Sequence, residues 1–188
     1  MLRCPMKRIQ SLMILFIVLF LSSFEVVAKD TVHSLNKYSN ESLDIIMNGY
    51  KENDKIEGFI TGGIVLNKEK KNQVIMIKYS NSGEIIWVYT HPTMEEEELL
   101  TITYSYQDNH VDGYLLLLRK QEKNVLLKVD LKGILKEEKE LDSSYQKMIL
   151  SMNENKEPVY YIFIGNQDQT AIIDTFNLDL ERIDRKEY

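Results

Sequence analysis

The sequence predicts an all-β fold of about three four-stranded antiparallel meander repeats, stacked face to face. Three observations lead there. A motif of about 50 residues recurs three times, the copies carry tight-turn residues, and their middle strands are apolar on both faces.

In chain order, residues 1–28 come first and read as a secretory signal peptide. Lys7 and Arg8 supply a positive start, Leu12–Leu21 an apolar run, and Val26-Val27-Ala28 a small-residue site with cleavage expected after Ala28. Met6 opens this pattern more compactly than Met1. A lipoprotein signal needs a cysteine after the run, and the chain's single cysteine, Cys4, precedes it. A retained anchor needs roughly 20 apolar residues. The run has ten, or sixteen with Ser22, Ser23 and the flank to Val27 counted. The expected location is secreted or cell-surface, with membrane attachment only if the signal is uncleaved. A buried N-terminal helix of a cytosolic fold is the remaining alternative. Residues 29–41 form an N-terminal extension.

The repeats occupy residues 42–188, at about 42–92, 93–142 and 143–188. Glu57–Gly63 with Val74–Trp87, Asp112–Leu118 with Val125–Leu135, and Tyr160–Gly165 with Ala171–Arg182 share one scheme. It runs apolar strand, polar loop, apolar strand, tight turn, third strand. Lys78 and Lys128 are 50 residues apart, as are Gly83 and Gly133. In the third copy Leu180 takes the glycine's place. A further strand is expected before each unit, at Leu43–Asn48, Leu99–Ser105 and Met148–Met152. Four short strands per period is the content of a propeller blade. Gly83 and Gly133 are expected to supply positive φ in a hairpin, and Gly58 and Gly113 to do the same one hairpin earlier. The fourth strands are polar, as in Lys136-Glu137-Glu138-Lys139-Glu140, which suits an outer edge.

A Gly-Phe/Tyr strand, an Ile-x-Lys strand, a turn to Gly and a strand bearing Trp together resemble the propeller repeats of bacterial exported proteins, in the broad PQQ-like and related propeller superfamily. Lys78-Tyr79-Ser80-Asn81-Ser82-Gly83-Glu84-Ile85-Ile86-Trp87 carries the resemblance best, and it covers about residues 42–188. Only the first copy keeps the Trp. The resemblance implies a propeller-like fold and an extracytoplasmic address. No quinone-binding residue maps onto the chain, and no cofactor is expected. Three repeats are fewer than the four to eight blades of closed propellers. The stack is therefore expected to be incomplete or completed by oligomerisation, with a twisted sandwich of about twelve strands as the alternative.

Composition narrows the partners. Beyond residue 28 the chain has 20 basic and 28 acidic residues, a net charge of −8. An acidic surface repels a phosphate backbone, so nucleic acid is not expected as a partner. With no cysteine after residue 4, neither disulfide nor thiol chemistry is available there. Plentiful Lys, Glu, Ile and Asn with little Ala suggest an AT-rich bacterial genome.

Few residues suggest chemistry. Asp108, His110 and Asp112, in Asp108-Asn109-His110-Val111-Asp112-Gly113, resemble the start of a calcium loop and form the metal candidate. A histidine is a poor calcium ligand, and the twelfth position of such a loop is Arg119 rather than Glu; the competing reading is a polar hairpin. Glu95-Glu96-Glu97-Glu98 after Thr93 reads as a solvated linker turn, or as a helix start capped by Thr93. His33, His91 and His110 share no metal spacing, and His91 beside Pro92 reads as a loop residue. No Gly-x-Ser-x-Gly occurs. Tyr104, Tyr106, Tyr160 and Tyr161 are candidates for a sugar surface, though strand tyrosines more often pack. No catalytic residue is assigned. The expected function is an exported non-catalytic binding protein whose partner is a protein or a glycan outside the membrane. The alternatives are an extracytoplasmic hydrolase acting on a wall or extracellular polymer, and a structural subunit completing a propeller, including as a homo-oligomer.

Overall fold

The computed structural model describes residues 41–188 except Glu52 and Asn53, so the expected signal peptide and residues 29–40 of the expected extension lie outside the described residues. Twelve strands follow one another: β1 (Glu41–Lys51), β2 (Lys55–Leu66), β3 (Asn72–Tyr79), β4 (Ile85–Thr90), β5 (Glu97–Gln107), β6 (His110–Lys120), β7 (Lys123–Asp130), β8 (Leu135–Glu140), β9 (Ser144–Met152), β10 (Pro158–Gln167), β11 (Thr170–Phe176) and β12 (Arg182–Glu187). Each group of four pairs with its sequence neighbours into one antiparallel up-and-down sheet, here sheets 1, 2 and 3. No helix occurs among the described residues. The fold is all-β, three four-stranded meanders in an open propeller-like stack.

Alternation along the strands makes the stack. In sheet 2, Tyr114, Leu116, Leu118, Val125, Leu127 and Val129 point to sheet 1 and bury Ile60, Val74, Met76 and Tyr89 there. Their neighbours Leu115, Leu117 and Leu126 point to sheet 3 and meet Tyr145, Tyr161, Phe163, Ile172 and Phe176. Successive side chains face opposite ways, so a sheet covered on both sides needs apolar residues at every position, as the middle strands of sheet 2 have. Each fully buried aliphatic side chain contributes about 1.5–3 kcal/mol. On the far face of sheet 1, Ile75, Ile77 and Tyr79 form a third cluster with Phe59 and Val88. On the far face of sheet 3, Ile149 and Ile164 remain 38% and 37% exposed.

A tyrosine ties each seam. The Tyr114 hydroxyl accepts the Tyr50 N–H across seam 1–2 at 2.9 Å. Tyr161 occupies the same register position in sheet 3, opposite the strand end that pairs with it, and its hydroxyl donates to the Tyr104 carbonyl across seam 2–3 at 3.1 Å.

The turns follow a rule broader than the glycines. In the turns joining third to fourth strands, Gly83 and Gly133 have φ of 85° and 80°. The residue opening each of these turns is a side-chain acceptor: Ser80 Oγ takes the Glu84 N–H, Asp130 Oδ1 the Ile134 N–H, and Asn177 Oδ1 the Glu181 N–H. The expectation for Gly58 and Gly113 needs correction. Gly58 has φ of 72° but lies within β2, where the pairing with β1 shifts register, and Gly113 is not left-handed. The positive φ of the first hairpins comes from Asp54 and from Asp108-Asn109. Gly113 is demanded by contact instead: a Cβ there would lie 2.3 Å from the Val129 carbonyl oxygen.

Leu180 shows what the third copy gains from losing its glycine. It sits at φ 61°, a conformation costing a non-glycine residue about 1–2 kcal/mol. Yet it is buried in the sheet 2–3 core, where removing a leucine side chain costs about 2–5 kcal/mol. Packing outweighs strain, so Leu180→Gly, although it restores the repeat's pattern, is expected to lower stability by about 1–3 kcal/mol in urea unfolding. A stabilised variant would show that the backbone term dominates.

Candidate binding groove at the sheet 1–sheet 2 seam

The ends of β1, β2, β3 and β4 meet the β7–β8 turn around Trp87. The indole N–H donates to the Leu131 carbonyl at 3.0 Å. Gly133 lies against the ring so closely that a Cβ would fall 2.8 Å from it, and Tyr114 stands tilted beside it at 6.2 Å between centroids. The chain's one tryptophan is thus held by the turn of the next sheet. A groove of about 480 Å³ opens here, with Ile86, Trp87 and Leu131 as apolar walls and Lys51, Glu57, Lys78 and Lys132 as polar lining. Its size suits a side chain or small molecule.

At its polar side Lys78 is 2% exposed. Its ammonium donates to the Tyr50 carbonyl at 2.8 Å and to Glu57 Oε2 at 3.0 Å. Lys51 approaches Glu57 from the exposed side at 3.7 Å. The hydrogen bond from Lys78, aided by the charges of Lys78 and Lys51 against some opposing burial, holds the Glu57 carboxyl below the usual range. A second groove, of about 570 Å³ beside Leu66, Gln73, Thr90 and Met94, has no aromatic ring and no buried ion in its lining.

Two further polar clusters are closed on themselves. At the opposite part of seam 1–2, His91 Nδ1 lies 2.5 Å from Glu97 Oε1, while Glu97 Oε2 accepts the Val74 N–H at 3.1 Å. His91 Nε2 lies 3.6 Å from Glu138. Burial pulls the His91 pKa down, but the Glu97 hydrogen bond and the charges of Glu97 and Glu138 outweigh it, and the net shift is upward. In sheet 3, Asp174 is fully buried and gripped by Arg185 and the Tyr145 hydroxyl. Neither cluster presents a nucleophile beside a base.

Two of the three metal candidates pair elsewhere, and the third lies in a turn. His110 Nδ1 lies 2.6 Å from Asp54 Oδ2, and Asp54 Oδ1 accepts the Val111 N–H, so the β1–β2 turn caps the β5–β6 hairpin. Asp112 pairs with Lys128 at 2.7 Å, and Asp108 lies in the turn at φ 51°. Among the described residues no three His, Cys, Asp or Glu side chains gather as a metal site would require. The glutamate run is not uniformly solvated. Thr93 Oγ1 accepts the Glu95 N–H in a turn, with no helix following, whereas Glu97 turns inward and is 2% exposed. His91 is a loop residue, as expected, but a buried one. Tyr161 is fully buried and Tyr104 half-buried, and both pack within the stack. His33 lies outside the described residues.

No protein-family model matches this chain, and no curated protein matches it significantly. The groove's elements come from residues 51 to 132, so no local motif spells it. The one signal in the sequence is the lone Trp beside the recurrent Lys and Gly, which by itself marks only the repeat.

Proposed function

We propose that the chain is an exported, non-catalytic binding protein of propeller-like repeats and that the Trp87 groove receives its ligand. One observation supports this most: an apolar opening whose indole wall is pinned by a hydrogen bond and by the close approach of Gly133. A preformed wall loses little side-chain freedom on binding. Because Trp87 is the sole tryptophan, its emission reports this site alone. Titration of the full chain with acetyl-Phe-amide is expected to shift that emission saturably, in the millimolar range for so small a probe. Ile86→Glu, at a wall position 43% exposed, is expected to abolish the shift while leaving the far-ultraviolet circular dichroism unchanged. Unaltered emission with apolar probes of any size sinks the reading.

A second reading, a structural subunit completed by a second copy, is supported by the exposed Ile149 and Ile164 on the last sheet face. Sedimentation at a single-chain mass argues against it.

A further inference from the structure

The Trp87 groove adjoins a strand whose edge is open. In each sheet the fourth strand is an edge, with a register shift near its start. β8 and β12 carry charge along their length, in Lys136-Glu137-Glu138-Lys139-Glu140 and in Arg182-Ile183-Asp184-Arg185-Lys186-Glu187. Charge of that kind keeps stray strands off an edge. β4 is Ile85-Ile86-Trp87-Val88-Tyr89-Thr90 and has no charged residue. Its backbone groups have a direction. The His91 N–H donates to the Val74 carbonyl at 3.0 Å, and the register runs on through Tyr89 opposite Met76 and Trp87 opposite Lys78. In an antiparallel ladder alternate pairs exchange hydrogen bonds and the pairs between them do not. Val88 and Thr90 stand opposite Ile77 and Ile75 in those intervening pairs, so their N–H and C=O groups point away from β3. Among the described residues no backbone hydrogen bond reaches them from that side.

The two grooves lie toward the two ends of this edge. Ile86 and Trp87 line the first, and Thr90 lines the second. Trp87 packs against the core shared with sheet 2, whereas Ile75, opposite Thr90, belongs to the cluster on the far face. Successive side chains of a strand face opposite ways, so Trp87 and Thr90 serve opposite faces of sheet 1. A strand laid along β4 has the same alternation and sends one side chain to each groove. Ile86 to Thr90 covers about 13 Å, the reach of about five extended residues. The first groove asks for no charge, because Glu57 already pairs with both Lys78 and Lys51. A sugar or a compact apolar molecule fills a groove but presents no row of main-chain donors and acceptors at strand spacing.

We infer that β4 receives an extended, uncharged peptide segment by strand addition, with one apolar side chain in the Trp87 groove and another, three residues along, in the groove beside Thr90. Main-chain hydrogen bonds to Val88 and Thr90 supply affinity, and the two grooves supply selectivity. The inference rests on the reading that the Trp87 groove is the binding site, and it adds the form in which the ligand arrives.

The test uses the full chain, Trp87 emission, and the probe acetyl-Thr-Phe-Thr-Thr-Phe-Thr-amide, whose aromatic residues stand three apart in either direction. It is expected to bind at least about tenfold more tightly than acetyl-Phe-amide. Two further peptides keep every side chain but are N-methylated on the first, third and fifth residues, or on the second, fourth and sixth. In a paired strand alternate N–H groups face the partner. One methylated peptide is therefore expected to lose about tenfold or more in affinity and the other to bind like the parent. Equal behaviour of the two overturns strand addition, since a ligand held by side chains alone has no preferred backbone edge. A hexapeptide no tighter than acetyl-Phe-amide also overturns it, and leaves the groove as a binding site. Silence with every probe, acetyl-Phe-amide included, overturns the groove itself. Sedimentation as a dimer that Val88→Lys converts to a monomer gives the edge to a second copy and overturns the peptide assignment.

Discussion

Replacing Asp174 with Asn is expected to cost about 2–4 kcal/mol of unfolding free energy. Asp174 is fully buried. Arg185 donates Nε to Oδ1 at 2.7 Å and Nη2 to Oδ2 at 2.6 Å, the Tyr145 hydroxyl donates to Oδ2, and Arg182 stands 3.4 Å away. Arg185 also donates to Ser143 and Gln167 and so joins β12 to the start of β9 and the end of β10. Breaking a wholly buried pair costs about 3–5 kcal/mol; the lower range applies because the Arg185 side chain keeps 23% of its surface in water. Asp142→Asn serves as a contrast. Asp142 pairs with Arg182 but is 62% exposed, and its loss is expected to cost under about 1 kcal/mol.

The same carboxylate shapes the acid limb of stability. Burial raises its pKa, but the hydrogen bonds from Arg185 and Tyr145 and the charges of Arg185 and Arg182 outweigh burial, and the folded value lies below the ordinary one. Its contribution is therefore complete above about pH 3.9 and disappears as pH falls through the folded value. Asp174→Asn is expected to flatten that acid limb in urea unfolding between about pH 2 and 5. An unchanged limb would place the acid sensitivity elsewhere.

Spacing made the fold legible because a meander that cannot cover itself must recur. Lys78 and Lys128, like Gly83 and Gly133, repeat at one period because they occupy one place in consecutive sheets. The strands of sheet 2 announced burial on both faces through an unbroken run such as Leu115–Leu118. Contacts between distant residues left no such trace. Glu97 looks like its neighbours Glu95, Glu96 and Glu98, and only the arrival of β5 beside His91 turns it inward. Asp108, His110 and Asp112 read like a ligand loop because polar residues at alternate positions of a hairpin suit exposed turns too; Asp54, from the β1–β2 turn, engages His110, and Lys128, from β7, engages Asp112. Gly113 reads like a turn residue but answers to the carbonyl of Val129. Trp87 shares its groove with Lys51 and gives its indole N–H to Leu131, a juxtaposition made by stacking.

Glu97→Ala is expected to remove about 2–4 kcal/mol, since it leaves two buried donors, the Val74 N–H and the His91 ring, without the acceptor they share. An orphaned buried donor costs about 1–3 kcal/mol. Glu97→Gln retains an acceptor but no charge, and isolates the electrostatic part. The His91 pKa is lowered by burial and raised further by Glu97 and Glu138, so its folded value exceeds the ordinary one. Its stabilisation is then fully present below about pH 6.5 and fades as pH rises through the folded value, each tenfold gain in proton affinity on folding being worth about 1.4 kcal/mol. Combined with Asp174, the two buried ion pairs act together between about pH 4 and 6.5. Wild-type protein is accordingly expected to resist urea better at about pH 6 than at about pH 9, and Glu97→Gln to lose most of that difference. Identical pH slopes in the two proteins would mean that His91 is neutral in the folded state and that the seam is held by its hydrogen bonds alone.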